Sequence, residues 1–208
     1  MAIIIFAGCE SVYDSNGFKR KSPFRTSLAK FKQMDIDTLK IYVPREMRGE
    51  YKGKLLTREE TMLFPAEVVD KNINGRSEMF ATYKIKIDDN YVGLIARTPS
   101  PEISTSLKLL YYNKEKDKID GYIELGEVWA DEGNVLKLNS YIFKDENKKL
   151  KSFTSLIATY DLDLEIDKSG KQIRYEKFFL LDLSKTKPDT ISTNEKVLKK
   201  IFGKLLLK

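Results

Sequence analysis

The side chains that most enzymes use for nucleophilic and acid–base work are scarce in this chain, which has no histidine and a single cysteine, Cys9. Ser–His–Asp and Cys–His catalysis need an imidazole, and zinc centres need histidines or several thiolates. A lone cysteine cannot form an intramolecular disulfide, so the thiol carries no information about redox compartment. Carboxylate chemistry is what remains. Asp161, Asp163, Glu165 and Asp167 alternate with Leu162, Leu164 and Ile166, so a strand would set four carboxylates on one face. Residues two apart on a strand lie about 6.6 Å apart in a line, whereas a calcium site needs its oxygens to converge. The row therefore reads as a solvated face, with Arg174 on a returning strand placed to pair with it. Asp88 and Asp89 are the kind of acid pair that glycoside hydrolysis uses, but a chain with 31 acids supplies such pairs by chance. No catalytic residue, metal or cofactor is assigned.

The binding candidates are Trp129, Asp131 and Glu132, which stand with Gly133 between two strand-forming runs. Tryptophan has the most area to bury and one N–H to satisfy, and at a loop beside two acids it can anchor a partner. The other reading is architectural. Trp129 then plugs the core, Asp131 accepts hydrogen bonds from the turn amides and Gly133 supplies a positive φ.

Length and composition point to one well-cored domain. The 208 residues are too few for two full-sized domains, and 41% hydrophobic content supplies a packed interior. The 37 basic residues exceed the 31 acidic ones by six, but the lysines are spread over almost every turn and strand edge. A nucleic-acid partner is not expected from that dispersion. From residue 37 the chain reads as short β-prone runs: 38–43, 79–87, 91–98, 106–112, 119–125, 135–143, 150–159, 162–166 and 173–183. Polar turns at 88–90, 113–118, 144–149 and 167–170 separate them. The expectation is a mostly β fold, an antiparallel meander closing as a barrel, a sandwich or propeller-like blades. Thr57 and Glu60 form a capping box that starts a short helix near 57–64, ended by Pro65. Val197, Leu198, Ile201, Phe202 and Leu205 recur at helical spacing behind Thr193 and Asn194, giving a C-terminal amphipathic helix. Its apolar stripe is expected to pack on the domain, although Lys196, Lys199, Lys200 and Lys204 would also suit a membrane surface.

The first residues carry a different signal. Phe6, Ala7, Gly8 and Cys9 follow an apolar run and occupy lipobox positions, with Phe6 where leucine is usual. This resembles the end of a bacterial lipoprotein signal peptide, and the resemblance implies a lipid on Cys9 as the membrane anchor. The run is shorter than a full signal core, so an upstream start is implied; the alternative is an ordinary first strand with a buried thiol. Tyr91 to Pro99, Ser106 to Lys114 and Ile123 to Gly133 follow one another in an order that resembles a module of uncharacterised Bacteroidetes cell-envelope lipoproteins, with a Trp-x-Asp-x-Gly-like turn.

The chain then divides into a signal remnant at 1–9, a linker or N-terminal segment at 10–36, whose Lys19, Arg20 and Lys21 read as part of a solvated linker with contact to anionic headgroups as the alternative, and a β-rich domain at 37–208. The functional expectation is a lipid-anchored protein of the bacterial envelope, in the outer membrane or periplasm, whose β domain binds a protein or glycan or serves a structural role. The alternatives are a carboxylate-based glycan hydrolase and a cytoplasmic interaction protein of phage or mobile-element origin.

Overall fold

The computed structural model of the chain describes residues 13, 15, 19, 21–42, 52–69, 78–99, 106–131, 134–161 and 172–206, with the side chains of residues 131, 161, 172 and 206 excepted. Cys9, Glu132, Gly133, the run 162–166 and the turn 167–170 lie outside the described residues.

The N-terminal part supplies α1 (Arg25–Lys30), β1 (Lys32–Gln33), β2 (Thr38–Ile41), β3 (Lys54–Leu55), α2 (Arg58–Thr61) and α3 (Ala66–Val69). A meander follows: β4 (Phe80–Lys86), β5 (Tyr91–Thr98), β6 (Ser106–Asn113), β7 (Lys118–Asp131), β8 (Asn134–Lys144), β9 (Leu150–Asp161), β10 (Gln172–Asp182) and β11 (Asp189–Ser192), then α4 (Glu195–Leu206). All eleven strands belong to one sheet, with β4 to β11 in chain order. The fold is mostly β, as the alternating runs require.

The turns form where the sequence places residues that can satisfy their amides. The Asp88 carboxylate accepts hydrogen bonds from the amides of Asn90 and Tyr91, both at 2.7 Å. The side-chain oxygen of Asn113 accepts from the Lys116 amide, and Asp117 then adopts a φ of 54°. Asp145 takes the amides of Asn147 and Lys149. The capping box is present as well, with the Thr57 hydroxyl accepting from the Glu60 amide and the Glu60 carboxylate accepting from the Thr57 amide at 2.7 Å.

What the strand pattern leaves open is how the sheet closes, and β7 decides it. Its Lys118–Glu127 portion pairs with β6 and its Glu127–Asp131 portion pairs with β8. The strand therefore hands the sheet over at Glu127, with a register shift just before it. Beyond that point β8 would have a bare edge over Ser140–Phe143, and β2 fills it. The sheet folds over so that both halves line one core. Tyr83, Ile85, Ile95, Leu107, Leu109, Tyr111 and Leu125 come from one half, and Leu39, Ile41, Ile142 and Leu150 from the other. Among the described residues all the strands join this one sheet, so propeller blades are not formed there.

The Tyr111 hydroxyl lies inside this core and donates to the Leu183 carbonyl at 3.1 Å. Burial first, and then the nearby Asp182 charge, push its phenol well above the usual tyrosine range. Burial acts to raise the Asp182 carboxyl too, but Lys151 at 2.8 Å and the hydroxyl and amide of Ser184 outweigh it and hold it down to about 2.

Each half needs cover on its other face. Over β4–β6 this comes from Phe24, Leu28 and Phe31 with Phe64, Val68 and Val69, packed on Leu94, Ala96, Leu110 and Tyr112. Phe24, Leu28 and Phe31 stand at helical spacing, so part of the segment 10–36 packs into the core. Over β8–β10 the cover is α4, whose Leu198, Phe202 and Leu205 meet Tyr141, Phe153 and Phe178. Phe202 stacks on Phe153 with ring centroids 4.8 Å apart. Leu198, Phe202 and Leu205 of the stripe thus pack on the domain, whereas Val197 and Ile201 stay exposed.

Gly203 lies on the opposite side of this helix, where an added Cβ would meet nothing within 4 Å. Glycine in a helix interior costs about 1 kcal/mol relative to alanine. Gly203→Ala should therefore raise stability by about 1 kcal/mol, while Phe202→Ala should lower it by on the order of 3 kcal/mol. Urea unfolding of both variants checks this; a Gly203→Ala that destabilises would mean that the outer side of α4 is covered.

Candidate functional site

The register of β7–β10 defines the surface around Trp129. Trp129 stands opposite Leu136, Leu136 opposite Ala158, and Ala158 opposite Tyr175. Residues directly opposite in an antiparallel pair project to the same face, so these four form a row across four strands. At about 4.8 Å per strand the row is roughly 14 Å wide. The neighbouring row toward the turns pairs Tyr160 with Ile173, and the neighbouring row toward the core carries Leu138, Leu156 and Lys177.

Along β8 and β9 this face leaves the core in steps. Ile142 is fully buried. Ser140, Thr154 and Ser152 come next, with hydroxyls joined at 2.9 and 3.0 Å, a buried polar ladder that needs no partner from outside. Leu138 and Leu156 are half-buried, as are Trp129 and Leu136. At the far end Tyr175 is 43% exposed, Tyr160 47% and Ile173 50%. The strands rise about 3.3 Å per residue, so the Leu136 position stands roughly 20 Å beyond Ile142. This end of the sheet presents an aromatic and aliphatic face that is exposed at Tyr175, Tyr160 and Ile173, half-buried at Trp129 and Leu136, and buried at the small Ala158 between them. Lys177 lies on the same face, with its ammonium 5.1 Å from the Tyr175 ring centroid.

Of the residues singled out by sequence, the structure places Trp129 on this face. Asp131 closes β7, with its backbone paired to Asn134. Glu132 and the proposed lipidation residue Cys9 lie outside the described residues. Leu136, Tyr160, Ile173 and Tyr175 were not singled out, because the register that brings them to Trp129 links positions up to 46 residues apart in sequence. Their one local signal is the alternation of Ile173 and Tyr175 with Arg174 and Glu176, which gives the strand one apolar face.

Other polar constellations are engaged in holding the fold. Arg174 faces Thr159 across the strands rather than the acidic row, and its Nε donates to Glu176 at 3.1 Å. Arg174 and then Lys199 hold the Glu176 carboxyl below the usual range. Asp88 lines an open cleft but its carboxylate caps its turn, and Asp89 pairs with Lys86 at 2.7 Å, so the two acids are engaged separately. Among the described residues no group of three or more His, Cys, Asp or Glu side chains gathers as a metal site would require. Open clefts of about 380 Å³ beside Lys84, Lys86 and Lys114, and of about 430 Å³ beside Asp120 and Lys187, lie away from the Trp129 face.

The least expected polar group is Lys108, which has no side-chain exposure at all. It sits on β6 with Ser106, facing Glu124 of β7 at 2.6 Å; the Lys108 ammonium donates to the Glu124 carboxylate and to the Ser106 hydroxyl, which itself donates to Glu124. A serine beside a lysine has the makings of a nucleophile and its base, but here the ammonium is already ion-paired and no cleft among those described reaches it. The cluster braces β6 against β7 just before the point where β7 changes partner.

No known protein family, no curated protein and no solved structure matches this chain.

The Lys108 cluster gives a paired expectation. Removing one partner of a buried ion pair leaves the other charge stranded, whereas replacing the buried member by an apolar side chain removes the desolvation cost with it. Glu124→Gln should cost about 3 kcal/mol, and Lys108→Met, which leaves Glu124 able to reach water, should cost less than about 1 kcal/mol. Chemical denaturation of the two variants decides between this and a purely packing role, for which Lys108→Met would be the more damaging change.

Proposed function

We propose that this protein is a lipid-anchored binding protein of the bacterial cell envelope, and that the Trp129–Tyr175 face of β7–β10 is where it holds an apolar protein partner. The observation that carries the binding reading is the row Trp129, Leu136, Ala158 and Tyr175 with Tyr160 and Ile173 beside it. Among the described residues Tyr175, Tyr160 and Ile173 of this face are exposed and Trp129 and Leu136 are half-buried, at the end of a sheet whose core clusters lie elsewhere. Tryptophan and tyrosine are the side chains that interfaces favour as anchors, and aliphatic neighbours around them exclude water. Sheet strands hold these rings on a fixed backbone, so little side-chain freedom is lost on binding. Lys177, on the same face, suits a partner that offers a carboxylate beside its apolar surface.

The tether is supported by the sequence alone: Ala7 and Gly8 before the only cysteine, the polar residues that follow, and the resemblance to Bacteroidetes lipoproteins. A single acyl chain gives marginal membrane binding, so stable anchoring through Cys9 needs a second chain or a second membrane contact.

Two experiments test the two halves of this reading. A photo-crosslinking amino acid in place of Tyr160, in cells of the source bacterium, should trap one discrete protein partner, and Leu136→Lys in the same chain should abolish the adduct while leaving the melting temperature close to its original value. Adducts that persist in Leu136→Lys, or none at all, would remove the face from consideration. For the anchor, the chain expressed with its upstream genomic sequence in a Gram-negative host should incorporate labelled fatty acid, and Cys9→Ala should abolish the label; labelling that never appears contradicts the tether.

A further inference from the structure

The β10 strand is paired along its whole length with β9, from Gln172 opposite Asp161 to Asp182 opposite Lys151. On its other side β11 pairs only with Leu180, Leu181 and Asp182. Among the described residues the backbone edge of β10 from Gln172 to Phe179 therefore has no strand beside it. Long, regular edges are templates for another strand, and natural sheets usually blunt them with bulges, prolines or inward charges. The register shift in β10 falls at Leu180/Leu181, outside this stretch, and the stretch contains no proline.

We infer that this edge pairs with the same edge of a second copy of the chain, antiparallel about a two-fold axis that sets Tyr175 opposite the partner copy's Tyr175. The charges decide the register. A two-fold pairing keeps the faces of the two sheets continuous, so each residue must meet one of the same face, and the axis must pass through a residue. Centring it on Arg174 sets arginine against arginine, and centring it on Glu176 sets glutamate against glutamate. Centring it on Tyr175 sets each Arg174 opposite the other copy's Glu176, twice, where opposite charges directly across a strand pair are favourable. In the single chain Arg174 is 64% exposed at its side chain and turns back along its own strand to Glu176. In the pair it reaches across.

Two further features agree. The Tyr175-centred register spans Gln172 to Phe178 and stops before the residues that β11 occupies. A groove of about 280 Å³, lined by Glu176, Lys177, Phe178, Phe179, Thr193 and Glu195, runs beside the upper part of this edge, where Gln172 of the second copy would enter. The pairing also joins the two Trp129–Tyr175 rows into one apolar face, although it does not depend on what that face binds. Seven residues from each copy make a small interface, so the dimer is expected to be concentration-dependent, with a dissociation constant on the order of micromolar.

Charge exchange tests this directly by sedimentation of the purified chain. The unmodified protein should show a monomer–dimer equilibrium over the micromolar range. Arg174→Glu alone and Glu176→Arg alone should each weaken it at least tenfold, since each sets like charges across the axis. An equimolar mixture of the two variants should regain a dimer. In the mixed pair the acid introduced at position 174 of one variant meets the base introduced at position 176 of the other, and the retained Glu176 meets the retained Arg174. Thermal melting of each variant shows that it is folded, and if loss of the Lys199 contact impairs Glu176→Arg, the amides of Ile173–Lys177 in the unmodified protein should exchange more slowly as its concentration rises. A strictly monomeric unmodified protein, dimerisation unaffected by Arg174→Glu, folded variants whose mixture stays monomeric, or amide exchange that does not change with concentration would each overturn the proposal.

Discussion

Every residue of β6 is buried, Lys108 included, and this one strand dictates much of the architecture. A strand buried on both faces needs a layer on each side, and a chain of this size has limited material to supply them. One layer is made from the N-terminal helices, with Phe24, Leu28, Phe31 and Phe64 closing over Leu110 and Tyr112. The other is made from the sheet itself, turned back at Glu127 so that Ile142, Leu150 and β2 cover Leu107, Leu109 and Tyr111. The long β7 is what permits the return, because one strand can pair with β6 over its first part and β8 over its second. The Lys108–Glu124 pair ties β6 to β7 just ahead of the change of partner.

The returning half does not have the same demand placed on it. Strands β8–β10 run 11 or 12 residues, longer than the core they cover, and α4 covers the outer side only around Tyr141, Phe153 and Phe178. The surplus length emerges from the core through the Ser140, Thr154 and Ser152 hydroxyls and ends in Trp129, Tyr160, Ile173 and Tyr175. Burying a large apolar side chain stabilises a fold by roughly 1.5–3 kcal/mol, so leaving several of them half in water has a cost that binding can recover. Among the described residues the same surplus leaves the edge of β10 from Gln172 to Phe179 without a strand beside it, so the exposed face and the open edge have one origin. The proposed binding role and the proposed self-association both follow from that overhang.

Much of the fold was legible in local chemistry. Asp88, Asn113 and Asp145 announce their turns because a side-chain oxygen two to four residues ahead of an amide can satisfy it without tertiary help. Thr57 and Glu60 mark their helix for the same reason, and Leu198, Phe202 and Leu205 declare the packed side of α4 by spacing alone. The helix at Arg25–Lys30 was legible in principle, since Phe24, Leu28 and Phe31 stand at helical spacing, but the serines and lysines around them resemble a linker. Lys108 could not be read as buried, because only the placement of Glu124 sixteen residues later makes burial tolerable. The candidate site was half legible: tryptophan beside a turn identified Trp129, whereas Tyr175 and Leu136 join it only through the register of three strand pairs. How the sheet closes was not legible at all, because it depends on where a 14-residue strand changes partner.

We propose that the Trp129–Tyr175 face is completed by a partner, because Tyr160, Ile173 and Tyr175 stay exposed among the described residues. Ile173→Thr together with Tyr175→Thr tests it most directly, since threonine keeps the strand propensity and removes the apolar surface. Measured by urea unfolding at a concentration well below the micromolar range, the double variant should lie within about 0.5 kcal/mol of the unmodified protein, as surface substitutions do. A loss of several kcal/mol would show instead that the chain buries this face itself, and that the surface is core.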